Sequence, residues 1–278
     1  MCHFKIILTL KILFFSILLR SVQQTSFVPL LLASEISYSS WILAFLAAFV
    51  IGLSKAGIKG IAIVNVTLMA LAFEAKESTG LVVPLLIFGD LFAVVYYNRH
   101  TRWSYIVRFL PWMILGILIG VFVGNDLDEN TFKICMAIII LTSVFMMYWW
   151  DRRKSASVPT HWAFAGSVGI IAGITTMIGN LGGAFSNIFF LAMRLPKNEF
   201  IGTAAWLFLI INIFKLPFHI FAWNTITTDS FIISLKLIPG IILGILIGIR
   251  VVKLIKENFY RKMILVLTAI GAVLIFFR

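Results

Sequence analysis

GLSKAGIKG (52–60) interrupts an apolar run that extends from residue 41 to residue 73. As one straight helix those residues would measure roughly 50 Å, at about 1.5 Å per residue. The hydrocarbon core of a bilayer is only about 30 Å thick. Each glycine in a helix interior costs about 1 kcal/mol relative to alanine and permits a sharp change of direction. The run is therefore expected to form two short half-helices meeting at the glycines. They make either a hairpin that enters and leaves on one face or a single kinked crossing.

The rest of the chain fits a lipid surround. Of 278 residues, 61% are hydrophobic and 12% charged, and the mean hydropathy is +1.05. A water-soluble domain of this length needs more polar surface. Further apolar runs occupy 81–97, 109–123, 134–150, 201–214, 232–249 and 263–277, and a glycine-studded one occupies 162–193. The fold class is an all-α polytopic membrane protein. The net charge of +12 is carried mostly in short loops, as orientation signals are, so nucleic acid is not an expected partner. Cys2 and Cys135 form no framework, and His3, His100, His161 and His219 have no ligand-like spacing. No metal or cofactor is expected. Residues 1–40 read as a signal-like or interfacial segment.

Comparison of the chain with itself reveals a duplication. At an offset of 122, Gly57, Gly60, Asn65, Glu77 and Gly80 fall on Gly179, Gly182, Asn187, Glu199 and Gly202, and Asp90 falls on Asn212. At an offset of 128, PWMILGILIG (111–120) falls on PGIILGILIG (239–248), and Glu129 and Asn130 fall on Glu257 and Asn258. Two repeats follow, 41–150 and 161–278, joined by a basic cytoplasmic linker at 151–160. Each is a glycine-broken helix pair plus three transmembrane helices, expected near 78–98, 103–124 and 131–150, then 199–222, 231–252 and 259–277.

Loop charge chooses between hairpin and crossing. If both broken stretches are hairpins, the basic loops at 99–102, 152–154, 194–197 and 253–262 share one side. Glu35, Glu74, Glu77, Asp126, Asp128, Glu129 and Asp229 collect on the other. Single crossings would leave both faces basic. Basic loops mark the cytoplasm, so hairpins and inverted repeats are expected, a common plan of secondary transporters.

Irregular backbone at membrane depth survives only where protein or a cavity satisfies it. Half-helix N-termini there present free N–H groups and partial positive charge, suited to an anion. The candidate substrate-binding residues are Lys55, Gly57, Lys59, Gly60 and Asn65 at the first break. At the second they are Thr176, Gly179, Asn180, Gly182, Gly183, Ser186 and Asn187, with Thr175 offering a further donor. Asp90, Asn212 and Lys215 are candidates for coupling or for an ion pair. Asp90 either takes up a coupling proton or pairs with Lys55 or Lys215, because a charge at this depth needs a partner or a cavity. Gly116, Gly120, Gly244 and Gly248 are assigned to close helix packing. Trp103, Trp149, Trp150, Trp162 and Trp223 are assigned to interface anchoring.

The GLSKAGIKG break, IGNLGGAFSN (178–187), AKESTG (75–80), LPWMILGILIG (110–120) and LDENTFK (127–133) resemble the TauE/SafE sulfite exporter family, also called the toluene sulfonate uptake permease family. The likeness covers nearly the whole chain from about residue 41. It implies secondary transport of sulfite, sulfonates or related small sulfur-containing anions across the cytoplasmic membrane. The partners are then a small anion, the lipid bilayer and a coupling proton or cation. Lysines in the first break depart from the more glycine-rich run of the family, which either shifts substrate preference or marks a divergent branch. An anion channel of the same architecture is the alternative. No HExxH or GxSxG motif suggests an enzyme.

Overall fold

The computed structural model describes residues 36–132, 134–135, 138–139, 142, 145, 162–256 and 259. No strand occurs among them. The calls on residues 1–35, on the 151–160 linker, on Trp149 and Trp150 and on most of the last helix of each repeat lie outside the described residues.

Eight helices are described over their full extent. They are α1 (Tyr38–Lys55), α2 (Ala62–Ala72), α3 (Ala75–Tyr97), α4 (Trp103–Asn125), α5 (Trp162–Gly179), α6 (Gly182–Ala192), α7 (Lys197–Pro217) and α8 (Thr228–Leu254). A 3-10 turn, Asn98–His100, follows α3, and a π-helical turn, Phe218–Ala222, follows α7. Among the described residues six helices are long and apolar enough to cross a membrane: α1, α3, α4, α5, α7 and α8, with α3 and α7 extended by those turns.

The broken stretches are not two equal half-helices. Each is a helix of 18 residues followed by one of 11 residues. Helix α1 ends only at Lys55, because Gly52 continues the helix and packs instead of bending it. The turn falls at Gly57 and Gly60, with φ of 121° and 93°. In the second stretch Asn180, at φ 56°, takes the left-handed position, which asparagine tolerates better than most residues. Helices α3, α7 and α8 also begin two or three residues earlier than expected. For α8 the reason is local: Thr227 and Ser230 form a reciprocal capping box.

The helices pack in crossed pairs, α1 against α8, α4 against α5, and α3 against α7. The most buried span is α3, with 78% of its apolar window inside the protein, while α4 and α8 have 39%. So α3 and α7 form the central pair and α4 and α8 face outward. Glycines set the outer crossings. A Cβ on Gly116 would strike the carbonyl oxygen of Ile170, and one on Gly244 that of Phe49. At one crossing Gly116 lies against Gly173; at the other Gly244 lies against Gly52. Gly120 meets Ile174 and Met177, and Gly248 meets Leu53 and Ala56. Small residues that bring backbones together supply dispersion contact where lipid offers no hydrophobic drive.

One tryptophan expectation is corrected. Trp223 is buried, not anchored at an interface. Its indole N–H donates to the Val121 carbonyl, and its ring covers Gly124 and meets His219 edge-on. Trp162, by contrast, is exposed.

Gly116→Ala should lower the thermal midpoint of the detergent-purified protein by an amount equivalent to about 1–3 kcal/mol, the usual cost of overpacking. Gly166→Ala, whose Cβ would meet only the Trp112 ring at 3.5 Å or more, should be neutral or stabilising by up to about 1 kcal/mol. Equal effects of the two changes would contradict the crossing.

Candidate functional site

The two broken stretches meet beside the central pair. Helices α1 and α5 end within the protein, which leaves carbonyls without intrahelical partners. Both ends are closed by side chains from the central pair. The Tyr97 hydroxyl, from the end of α3, donates to the Ala56 carbonyl at 2.8 Å. Lys215 Nζ, from α7, donates to the Thr176 carbonyl at 2.9 Å and to Asn180 Oδ1 at 2.6 Å. The cation thereby also meets the negative end of α5. Asn180 Nδ2 donates onward to the Thr79 carbonyl at 3.0 Å.

The amide ends are treated differently. Helix α2 begins after Ile61 and α6 after Leu181, and neither has a side-chain cap. Ala62 and Ile63 at the start of α2 and Gly183 and Ala184 at the start of α6 border the region between the breaks, so the partial positive ends of both helices lie there.

A cavity of about 50 Å³ occupies that region. Of the candidate residues, Lys55, Lys59, Gly60, Asn65, Thr176, Asn180, Gly183, Asn187 and Asn212 line it. Gly57 does not, because it packs against the side chains of Ile201 and Val252. Gly179 is the buried last residue of α5, and Gly182 packs against Thr176 and the Ala172 carbonyl. Thr175 turns its hydroxyl back to the Ala172 carbonyl. Ser186 is fully buried outside the lining, and its hydroxyl has no partner among the described residues.

Three ammonium groups and one carboxylate gather around the cavity. Asp90, fully buried on α3, accepts from Lys55 Nζ at 2.6 Å and from Asn212 Nδ2 at 2.7 Å. Its partner is therefore Lys55 and not Lys215. Asp90 and Asn212, 122 positions apart, touch one another across the central pair. Lys55 also lies over the Phe208 ring, 5.3 Å from its centroid, a favourable cation–π arrangement. Lys215 meets only neutral oxygens. Lys59 is buried; its backbone N–H donates to the Gly57 carbonyl, and its ammonium group has no hydrogen-bond partner among the described residues. One carboxylate stands among three lysine side chains, so the group carries a positive excess when the lysines are protonated, and the low local dielectric strengthens its field.

The family scan matches the sulfite exporter TauE/SafE model over residues 42–275. The chain belongs to the sulfite exporter TauE/SafE family. It is a multi-pass membrane protein of a transporter family, with a small anionic substrate, and is not an enzyme. No curated protein and no solved structure matches the chain.

Within this family member, sequence reasoning missed three contributors. Ser54 and Phe208 line the cavity, and Tyr97 caps α1 from 41 residues away. It also passed over His219, which is fully buried in the π-helical turn, with Nδ1 2.9 Å from Thr225 Oγ1 and Nε2 without a hydrogen-bond partner among the described residues. A π-helical turn is itself a signal of local constraint, but no residue pattern here announces it.

Removing one partner of a buried ion pair strands the other. Asp90→Leu should therefore destabilise the TauE/SafE protein by about 3–5 kcal/mol, and Lys55→Met/Asp90→Leu should recover most of that loss. Thermal unfolding of the three proteins in one detergent checks this. A double variant no more stable than Asp90→Leu would remove the pair as the cause.

Proposed function

We propose that the chain is a secondary transporter, working as an exporter, of small sulfur-containing anions such as sulfite in the cytoplasmic membrane. Support comes first from Lys59, an ammonium group without a hydrogen-bond partner among the described residues, on a cavity between two uncapped helix N-termini. Helix N-termini and fixed charge held by the fold favour an anion there without further reorganisation. Substrate contacts are assigned to Lys59, Gly60, Asn65, Thr176, Asn180, Gly183 and Asn187. Lys55, Asp90, Asn212 and Lys215 hold the frame and set the charge.

Size supports the small end of the family's substrates. One water needs about 10–15 Å³ of such space, so about 50 Å³ suits an anion of a few heavy atoms better than an aromatic sulfonate. Charge bears on coupling. A metal cation would have to share a cavity that already carries excess positive charge, so a proton is the favoured coupling partner. Gly116 and Gly244 recur at the offset of 128 read from the sequence, and each crosses a glycine of a broken stretch (Gly173 and Gly52), which supports two related halves rocking about the central pair.

Flux into or out of proteoliposomes tests this reading. Wild-type protein should move sulfite uphill when a proton gradient is imposed. Lys59→Met should lower sulfite affinity at least about tenfold, the scale of one charge-assisted hydrogen bond, with an unchanged thermal midpoint. Rapid conduction that only ever runs downhill would instead indicate a channel, and unchanged affinity would remove Lys59 from the site.

A further inference from the structure

The two glycines that open α6 differ in what surrounds them. Gly182 is buried, and a Cβ there would stand 2.6 Å from the Thr176 side chain and 2.8 Å from the Ala172 carbonyl oxygen. Packing alone accounts for its missing side chain. Gly183, the next residue, is only partly buried between two buried neighbours. Outside its own helix and chain neighbours, a Cβ there would meet one atom within 4 Å, Phe208 Cζ at 3.9 Å, an ordinary van der Waals contact. Gly183 and Phe208 both line the cavity. The space that a side chain at 183 would fill therefore belongs to the cavity.

Conformation does not call for glycine here either. Gly57 and Gly60 hold positive φ, whereas Gly183 does not. It is the second residue of a helix, and alanine is the better helix former. Neither a turn nor a close approach explains a glycine at 183; the room it leaves in the cavity does. That room is large against the whole. The cavity measures about 50 Å³, and a methyl group, close to a water in size, would take on the order of a quarter of it. The wall across the gap is held in place. Lys55 lies over the Phe208 ring, 5.3 Å from its centroid, and is itself paired with Asp90.

Resting on the anion-transport reading above, we propose that Gly183 sets the size limit of the site, its missing side chain leaving the gap toward Phe208 that a substituent on the anion's central atom occupies. The charged oxygens go to Lys59 and the helix N-termini, and the uncharged substituent, a short alkyl group in a sulfonate, faces the phenyl ring. Charge selects an anion, and position 183 selects how large an anion enters.

Sulfite and methane-, ethane- and propanesulfonate form a series of rising size for the test. Where wild type accepts no sulfonate, selenite, the larger analogue of sulfite, is the large member. Binding is measured by calorimetry on the full chain in lipid nanodiscs, for wild type, Gly183→Ala and Gly182→Ala, with thermal midpoints alongside. Gly182→Ala should lower the midpoint, and Gly183→Ala should leave it unchanged or raise it. The loss of affinity in Gly183→Ala should grow with anion size, from under about threefold for the smallest anion that wild type binds to at least about tenfold for the largest, the scale of overpacking by one methyl. A lowered midpoint in Gly183→Ala would place the residue in packing and overturn the inference. Equal losses across the series, or none, would overturn it while leaving anion binding standing. Binding of none of these anions to wild type would overturn the transport reading with it.

Discussion

A helix that ends among lipid-embedded helices must find partners for its last carbonyls and first amides, because the surroundings supply no water to take them. In this chain that requirement is met unevenly. The carbonyl ends of α1 and α5 are closed by Tyr97 and Lys215, whereas the amide ends of α2 and α6 carry no side-chain cap. The open ends are the positive ends, so the uneven closure leaves a pocket of the polarity an anion needs. The central position of α3 and α7 follows from the same requirement, since they supply both closing side chains. The outer crossings follow in turn. Glycine contacts at Gly116 and Gly244 let α5 and α1 lie close against α4 and α8, which carries both broken stretches to the central pair.

The charged groups divide into those that hold the frame and one that does not. Lys55 is neutralised by Asp90 and steadied by Phe208. Lys215 is tied to a helix end. A buried ion pair is weak evidence for stability in itself, but here it fixes α1 to α3, and Asn212 extends the link to α7. Only the ammonium group of Lys59 has no hydrogen bond to a described residue, its backbone N–H donating to the Gly57 carbonyl. Between Gly57 and Gly60, both in backbone conformations that other residues seldom adopt, its place depends on the turn. The break and the charge are therefore one feature: the glycines make the turn, and the turn holds the ammonium group beside the cavity.

Much of this was legible in the residues. The apolar runs, the position of the breaks, the packing glycines and Lys59 all follow from local pattern, because helix length and glycine content are read along the chain. The choice of partner for Asp90 was not legible. Lys55 and Lys215 both fitted, and the answer depends on how α1 rotates against α3, which the Gly52 crossing with α8 fixes from the far end of the sequence. Gly57, Gly179 and Gly182 were read as substrate contacts from their place in the breaks, yet they turn or pack the backbone beside the cavity. Trp223 was read as an interface anchor from its place at a span end. Its burial depends on Gly124, a residue on another helix with no signal of its own. Tyr97 and Phe208 serve the site from positions that look like ordinary core.

The central claim is that the open helix ends and Lys59 hold an anion between the two breaks. A diffraction experiment on the protein soaked in selenite, the heavier analogue of sulfite, examines it directly through anomalous scattering from selenium. The expected result is a selenium peak in the cavity, with oxygen density within hydrogen-bond reach of Lys59 Nζ and of the first amides of α2 or α6. A cavity empty of selenium, with the peak bound elsewhere on the protein, would contradict the account.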